Sequence, residues 1–218
     1  MKNQLIIGNK NYSSWSLRPW LLLKQMQISF EEVRIPLYAP GSKDKLLEHS
    51  PTGKVPALNN GDTTVWDSLA ICEYINDANP DKPCWPEDIN DRAFARAISH
   101  EMHSGFFEIR NVLPMNCKKN MVFNRITPEL QADIDRVCQI WQISRAKYAA
   151  NGPFLLGQFS IADAMFAPVV LRFNSYGITV GATEQAYMDA ILSLPTLQSW
   201  IAAGIAETEI IAMGEVEE

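Results

Sequence analysis

Apolar residues cluster first in QLIIG, residues 4–8, and next in SLRPWLLLKQM, residues 16–26. The first run has the length of a short buried strand. The second has helical length, with a proline in its opening turn, where a missing N–H costs little. FEEVRIPL, residues 30–37, partly alternates at Phe30, Val33 and Ile35 and reads as a second strand. KVPALNNGDTTVW, residues 54–66, sets two β-type runs around Asn60-Gly61, a dipeptide that accepts the positive φ angles of a tight hairpin. The hairpin strands are therefore antiparallel, whereas the first two, joined through a helix, are expected to be parallel. DSLAICEYINDANP, residues 67–80, then places Ile71, Tyr74, Ile75 and Ala78 on one helical face and stops at Pro80. The order βαβ followed by ββα makes residues 1–80 a complete small α/β unit.

The pattern changes at PDKPCWPEDIN, residues 80–90, which carries three prolines and three acids without periodicity. We read residues 81–90 as a linker and residues 91–218 as an all-helical unit. Phe94, Ile98, Met102, Gly105, Phe106 and Ile109 line one face of its first long helix. Leu130, Ile134, Val137, Cys138 and Trp141 line another, which opens with Thr127-Pro128. SIAD, residues 160–163, precedes the apolar run AMFAPVVLRF with the spacing of a capping box, in which Ser160 and Asp163 satisfy each other's amides. Capping alone accounts for that spacing, so Asp163 is assigned a structural role.

Composition narrows the function classes. Apolar residues make up 47 % and charged residues 20 % of 218, which is ordinary for a globular chain with a sizeable core. A net charge of −6 with no Lys/Arg cluster argues against a nucleic-acid partner. The opening residues lack a secretory h-region and no run has membrane-spanning length, so a cytoplasmic protein without membrane association is expected. Cys72, Cys84, Cys117 and Cys138 are scattered without a CxxC pair, which points to reduced thiols rather than a dithiol or zinc site. HEMH, residues 100–103, does not have zincin spacing, and no metal is expected.

A βαβ–ββα module, Val55-Pro56 entering its third strand, Asp67-Ser68 opening its third helix, a proline-rich linker and an S-x-A-D box in a helical half together resemble the cytosolic glutathione transferases. YSSWSLRPW, residues 12–20, is similar to the serine-serine-cysteine loop of the zeta and related bacterial classes, with Trp15 in the cysteine's place. The resemblance implies a thioredoxin-like N-terminal α/β domain, a C-terminal helical bundle, a homodimer, and glutathione as substrate or cofactor. The reactive sulfur would then belong to the ligand. A free thiol has a pKa of about 8.5; lowering it by about two units takes roughly 2.7 kcal/mol. A hydrogen bond to a charged group supplies ~1.5–3 kcal/mol and a helix N-terminus ~0.3–1 kcal/mol.

Ser13 aligns with the serine to which the zeta pattern gives this role. Ser14 is the neighbour that shares or replaces it, and Tyr12 is a third candidate because other classes use tyrosine. Against this stands a plain N-cap at Ser14 or Ser16. Arg18, near the start of the first helix, is poorly placed for the helix dipole, which leaves an orienting role or a salt bridge open. The resemblance further implies a cis Val55–Pro56 bond that frees the Val55 backbone for the ligand's cysteinyl residue. It also implies an anion site at Ser68 for the γ-glutamyl carboxylate, with Asp67 facing the ammonium; simple capping by Asp67 or Ser68 is the alternative. Lys43, His49 and Lys54 are candidates for the glycyl carboxylate. Trp15, Phe106, Phe107, Arg110 and Asn111 flank the expected second-substrate site. The chemistry implied is conjugation of glutathione to a small electrophile. Alternatives are glutathione-dependent cis–trans isomerisation of a maleylacetoacetate-like acid, or a non-enzymatic docking protein similar to the stringent-starvation proteins.

Overall fold

The computed structural model describes residues 3–216; residues 1–2 and 217–218, the extreme ends of the two expected units, lie outside the described residues. Strands β1 (Asn3–Ile7), β2 (Phe30–Arg34), β3 (Ala57–Asn60) and β4 (Thr63–Trp66) form one sheet in the order β2-β1-β3-β4. β1 pairs with β2 in parallel, and β3 pairs with both β1 and β4 in antiparallel fashion, as the connections require. The hairpin turn is one residue later than its dipeptide signal. Asn60 pairs with Thr63, so Gly61 and Asp62 form the loop, and Gly61 takes φ 62°. A positive φ at the first loop residue alone is the type II′ pattern.

Helix α1 (Ser14–Gln25) starts two residues before the sequence signal because Ser13 caps it. Pro19 consequently sits inside the helix rather than in its first turn, and removes the bond that would reach the carbonyl of Trp15. α1 packs against α3 (Ser68–Ala78) and against α7 (Ile161–Ser175) and α9 (Pro195–Ala206) of the helical half. Leu17, Leu21, Leu22 and Leu23 are buried in the same apolar cluster as Trp141, Phe166 and Trp200. The two halves therefore share one core through α1. A second, smaller cluster of Ile6, Ile35, Leu46 and Ala57 lies apart from it; Leu46 belongs to α2 (Ser42–Leu47), a helix of six residues too short to show a period.

α3 ends at Ala78 and α4 (Ile89–Ser104) begins at Ile89, so the connection spans residues 79–88. It is pinned: the Lys82 Nζ donates to the carbonyls of Met26 and Gln27 at 3.0 Å each. The expected single helix through Ile109 is two. α4 stops before Gly105, Phe106 takes φ 60°, and α5 (Phe107–Val112) restarts the spiral. Asp133, from α6 (Pro128–Tyr148), supports the restart by accepting from the amides of Glu108 and Ile109 at 3.0 and 3.3 Å. Arg110 closes the preceding end, donating to the carbonyls of Gly105 and Met102. α8 (Ala182–Leu192) precedes α9. Among the described residues no helix is long and apolar enough to cross a membrane.

The capping box of α7 forms, and Asp163 is fully buried in it. Its carboxylate accepts from Ser160 N at 2.8 Å and Leu155 N at 2.9 Å. Burial outweighs these bonds and raises its pKa to about 6. A carboxyl that is more basic folded than unfolded stabilises the fold below its ordinary pKa of about 3.9, and that contribution is lost as pH rises through about 6. Paired thermal melts of the natural protein and Asp163→Asn are expected to show the natural protein's advantage shrinking between about pH 4 and 6 and level above pH 7. A constant difference across that range would exclude Asp163 as the titrating group.

Candidate active site

The turn between β1 and α1 presents amides that neither element satisfies. Glu207 accepts from two of them, Lys10 N at 2.8 Å and Asn11 N at 3.1 Å. Trp200 Nε1 donates to the Lys10 carbonyl at 2.9 Å, and Cys117 N to that of Asn11 at 3.2 Å. Gly204 on α9 permits the approach, since a Cβ there would stand 3.0 Å from the amide nitrogen of Asn11. The turn delivers Tyr12, Ser13, Ser14 and Trp15 to one wall of a cavity of about 630 Å³, a size typical of small-molecule sites.

The three hydroxyls are differently engaged. Ser13 is the N-cap: its Oγ accepts from Ser16 N at 3.4 Å and donates to Ser16 Oγ at 2.8 Å. The cap thus falls on Ser13, not on Ser14 or Ser16; Ser16 Oγ itself accepts from Gly8 N at 3.1 Å. Tyr12 donates its hydroxyl to Glu215 Oε1 at 2.6 Å, and burial together with that carboxylate raises its pKa. Ser14 Oγ accepts from Nη2 of Arg172 at 3.2 Å.

The opposite wall carries Lys43, Gly53, Lys54 and Val55, and the Val55–Pro56 bond is cis. Pro56 is buried behind it, and His49 does not line the cavity. Lys43 Nζ donates to the carbonyls of Thr52 and Gly53 at 3.2 and 3.4 Å. Arg110, Arg172, Pro114 and Met115 enter from the helical half, with Ile211 and Met213 from the C-terminal segment. Among the described residues no Asp or Glu lines this cavity.

Asp67 and Ser68 lie outside the cavity lining. Asp67 takes φ 77° and caps α3, its Oδ1 accepting from Leu69 N at 2.9 Å and Ala70 N at 3.1 Å. Its Oδ2 lies 3.0 Å from Nε2 of His103, whose pKa is lowered by burial against the opposing effect of Asp67. Ser68 is buried and accepts from Arg18 Nη1 at 3.4 Å. Arg18 is fully buried, and burial and then the nearby Arg110 and Arg172 push its pKa down. The Trp15 ring has the Arg18 and Arg110 guanidiniums 4.3 and 4.7 Å from its centroid and meets His103 edge-on. Trp15 lines the cavity and touches Arg18 and His103, which in turn contact Ser68 and Asp67.

Phe106 is a core residue at the start of α5, while Phe107 is exposed and Asn111 is not among the cavity-lining residues. None of these three lines the cavity, and all three follow the break at Gly105. Arg172 carried a signal that sequence reasoning passed over, a single cation inside AMFAPVVLRF; a charge in an apolar run is rarely buried without a partner or a task. Leu37, Tyr38, Ile211 and Met213 had no local signal. None of the four cysteines lines the cavity, and burial raises all their pKa values, to about 11 at Cys84 and Cys138 and about 12 at Cys117.

Comparison with known proteins places these features in a family. Residues 12–78 match the family model described as the glutathione S-transferase N-terminal domain. The chain is 38% identical over 112 residues to a probable maleylacetoacetate isomerase of Caenorhabditis elegans, covering 50% of this chain and 51% of that protein. It is 31% identical over 170 residues to the maleylacetoacetate isomerase of Mus musculus, covering 76% of this chain and 75% of that one. A glutathione transferase homolog from Burkholderia, solved with bound glutathione, superposes with a TM-score of 0.71 at 22% identity, over 94% of this chain and 98% of that chain. The two-part fold with its thioredoxin-like sheet, the serine-bearing turn and these likenesses together identify the chain as a member of the cytosolic glutathione transferase family.

Proposed function

We propose that the cavity binds glutathione and directs its thiolate onto a small anionic electrophile, with cis–trans isomerisation of a maleylacetoacetate-like acid as the leading reaction. The observation that carries this reading is the charge of the lining: Lys43, Lys54, Arg110 and Arg172, with no carboxylate among the described lining residues. Such a wall attracts the carboxylates of glutathione and of an acidic co-substrate, and it favours thiolate over thiol. The names of the relatives at 31–38% identity favour isomerisation over conjugation.

In that reaction the thiolate adds to one carbon of a cis double bond conjugated to a carbonyl, and the electron pair moves to the carbonyl oxygen. The former double bond rotates as a single bond. The pair then returns, the trans double bond forms and the thiolate leaves, so glutathione is regenerated. Arg110, half-buried beside the Trp15 ring, is the lining cation placed to orient the acid, and the lysines on the opposite wall suit glutathione. With an electrophile that cannot eliminate the thiolate, the same site yields a stable conjugate.

Calorimetric titration with reduced glutathione is expected to show saturable binding, weakened about tenfold, or ~1.4 kcal/mol, by Lys54→Ala. No binding at millimolar glutathione would reject the reading and favour the docking-protein alternative. With maleylacetoacetate, turnover is expected at substoichiometric glutathione, with the trans isomer as product. Arg110→Gln should raise KM for the acid several-fold more than it lowers kcat, as loss of uniform binding requires. Consumption of glutathione in step with the acid would instead establish conjugation.

A further inference from the structure

We propose that the exposed backbone edge of residues 120–124 is a docking site for an extended acidic segment of a partner protein, which adds to it as a strand. The edge lies in the connection between α5 and α6, residues 113–127, which carries no helix or strand. Helix–helix connections usually span roughly 2–8 residues, and a longer one without secondary structure is usually functional or disordered. This one is held against the end of α7. The Met121 and Phe123 amides donate to the carbonyls of Ser175 and Tyr176 at 2.9 and 3.0 Å. The Phe123 ring is buried and meets Tyr176 edge-on, 6.1 Å between centroids. Alternate amides bonded to one side have the spacing of an extended strand, whose intervening residues turn their N–H and C=O groups the other way.

Asn120, Val122 and Asn124 are the intervening residues, and all three are exposed. Among the described residues their amides have no backbone acceptor and their carbonyls no backbone donor. The inner side is closed, since the Met121 carbonyl oxygen lies 3.1 Å from where a Cβ on Gly177 would stand. An open edge of this kind accepts an extended chain, with main-chain bonds giving affinity and the flanking side chains choosing the partner. Charge makes that choice here. Between Glu108 and Glu129 the sequence holds no acid and four cations, Arg110, Lys118, Lys119 and Arg125, although the net charge is −6. Arg110 belongs to the cavity, and the other three flank the edge. Lys118 Nζ donates to the Glu207 carbonyl, which leaves its charge uncancelled, and Lys119 stands 3.9 Å from a Glu215 carboxylate oxygen. Lysines beside an edge oppose pairing with a basic strand and favour one that carries carboxylates. A nucleic-acid strand would engage the cations but leave the alternating donors and acceptors unused.

The probe is a fluorescein-labelled peptide of alternating Glu and Val, titrated into the full chain at low salt, with amide hydrogen exchange of the complex read residue by residue. Saturable binding is expected, with exchange slowed about tenfold or more at Asn120, Val122 and Asn124 and little changed at Met121 and Phe123, whose amides are already bonded. A peptide N-methylated at every amide keeps its charge and should bind about tenfold more weakly or worse. Val122→Pro removes an outward N–H that bonds nothing in the fold and should weaken binding by roughly three- to tenfold; should it unfold, the exchange pattern of the natural protein decides alone. Lys119→Gln should lower affinity at low salt and flatten its salt dependence. Equal binding of the methylated peptide, binding without slowed exchange at the three outward amides, or no binding at millimolar peptide would each overturn the proposal. Equal competition by single-stranded oligothymidylate would mark the loop as a general polyanion patch and overturn it too. Self-association displaced by the peptide in sedimentation would assign the edge to a second copy of this chain, with the same consequence.

Discussion

The seating of the β1–α1 turn against the C-terminal half is the constraint from which the site follows. A turn that leads from a strand into a capped helix leaves backbone N–H groups and carbonyls that must find partners once buried. Here the partners come from far along the chain: the Glu207 carboxylate, the Trp200 indole, and the backbone of Cys117. Each bond ties residues 10–11 to the helical half, and Gly204 lets α9 come close enough to make them. The serines are therefore positioned by both halves at once. α1 reinforces the arrangement, since the same leucines that cover the sheet pack on α7 and α9. Neither half carries a complete site alone.

Positive charge in that seam is costly to hold, and the structure shows how it is held. Arg18, Arg110 and Arg172 each lower another's pKa or have their own lowered, and burial is the larger cause in every case. Among the described residues none of the three forms an ion pair with a carboxylate; Asp133 and Asp67 only partly offset the shifts at Arg110 and Arg18. Arg110 is satisfied by the carbonyls at the end of α4, Arg172 by those at the end of α5, and Arg18 by Ser68; Trp15 offers its ring to two of them. Carbonyls at helix ends and aromatic faces stabilise cations without neutralising them. The result is a cavity whose cations remain available to an incoming anion, a different design from a salt-bridged core, where they would be used up.

Much of the scaffold was legible in short-range chemistry. The NNGD turn, Thr127-Pro128, the SIAD box and the Pro-rich connection each act within a few residues, and each lies within a residue or two of its signal. The errors have the same origin in reverse. α2 is shorter than two turns, so no period could reveal it. The break at Gly105 depends on Asp133, distant in sequence, and the apolar spacing runs through it unchanged. At the site, the serine turn and the Val55-Pro56 segment were readable because they are local. Arg172 and the 211–213 segment were not, since what gives them a role is the turn they meet across the fold. Asp67 and Ser68 were read correctly as an α3 start, yet neither lines the cavity.

The Trp15 indole also answers what replaces a cysteine at the same position. A cysteine at position 15 would place a thiol in the cavity wall, where it could exchange with a disulfide such as oxidised glutathione, leaving a mixed disulfide and releasing one thiol. The natural cysteines offer no such route, because none lines the cavity and burial holds each in its thiol form. Trp15 removes the redox branch and contributes a π-face to Arg18 and Arg110 where a thiol would give none. The indole that stands at this position thus also helps hold the two cations beside it. On the proposed reading the nucleophile belongs to the ligand, and what the protein supplies is charge and position.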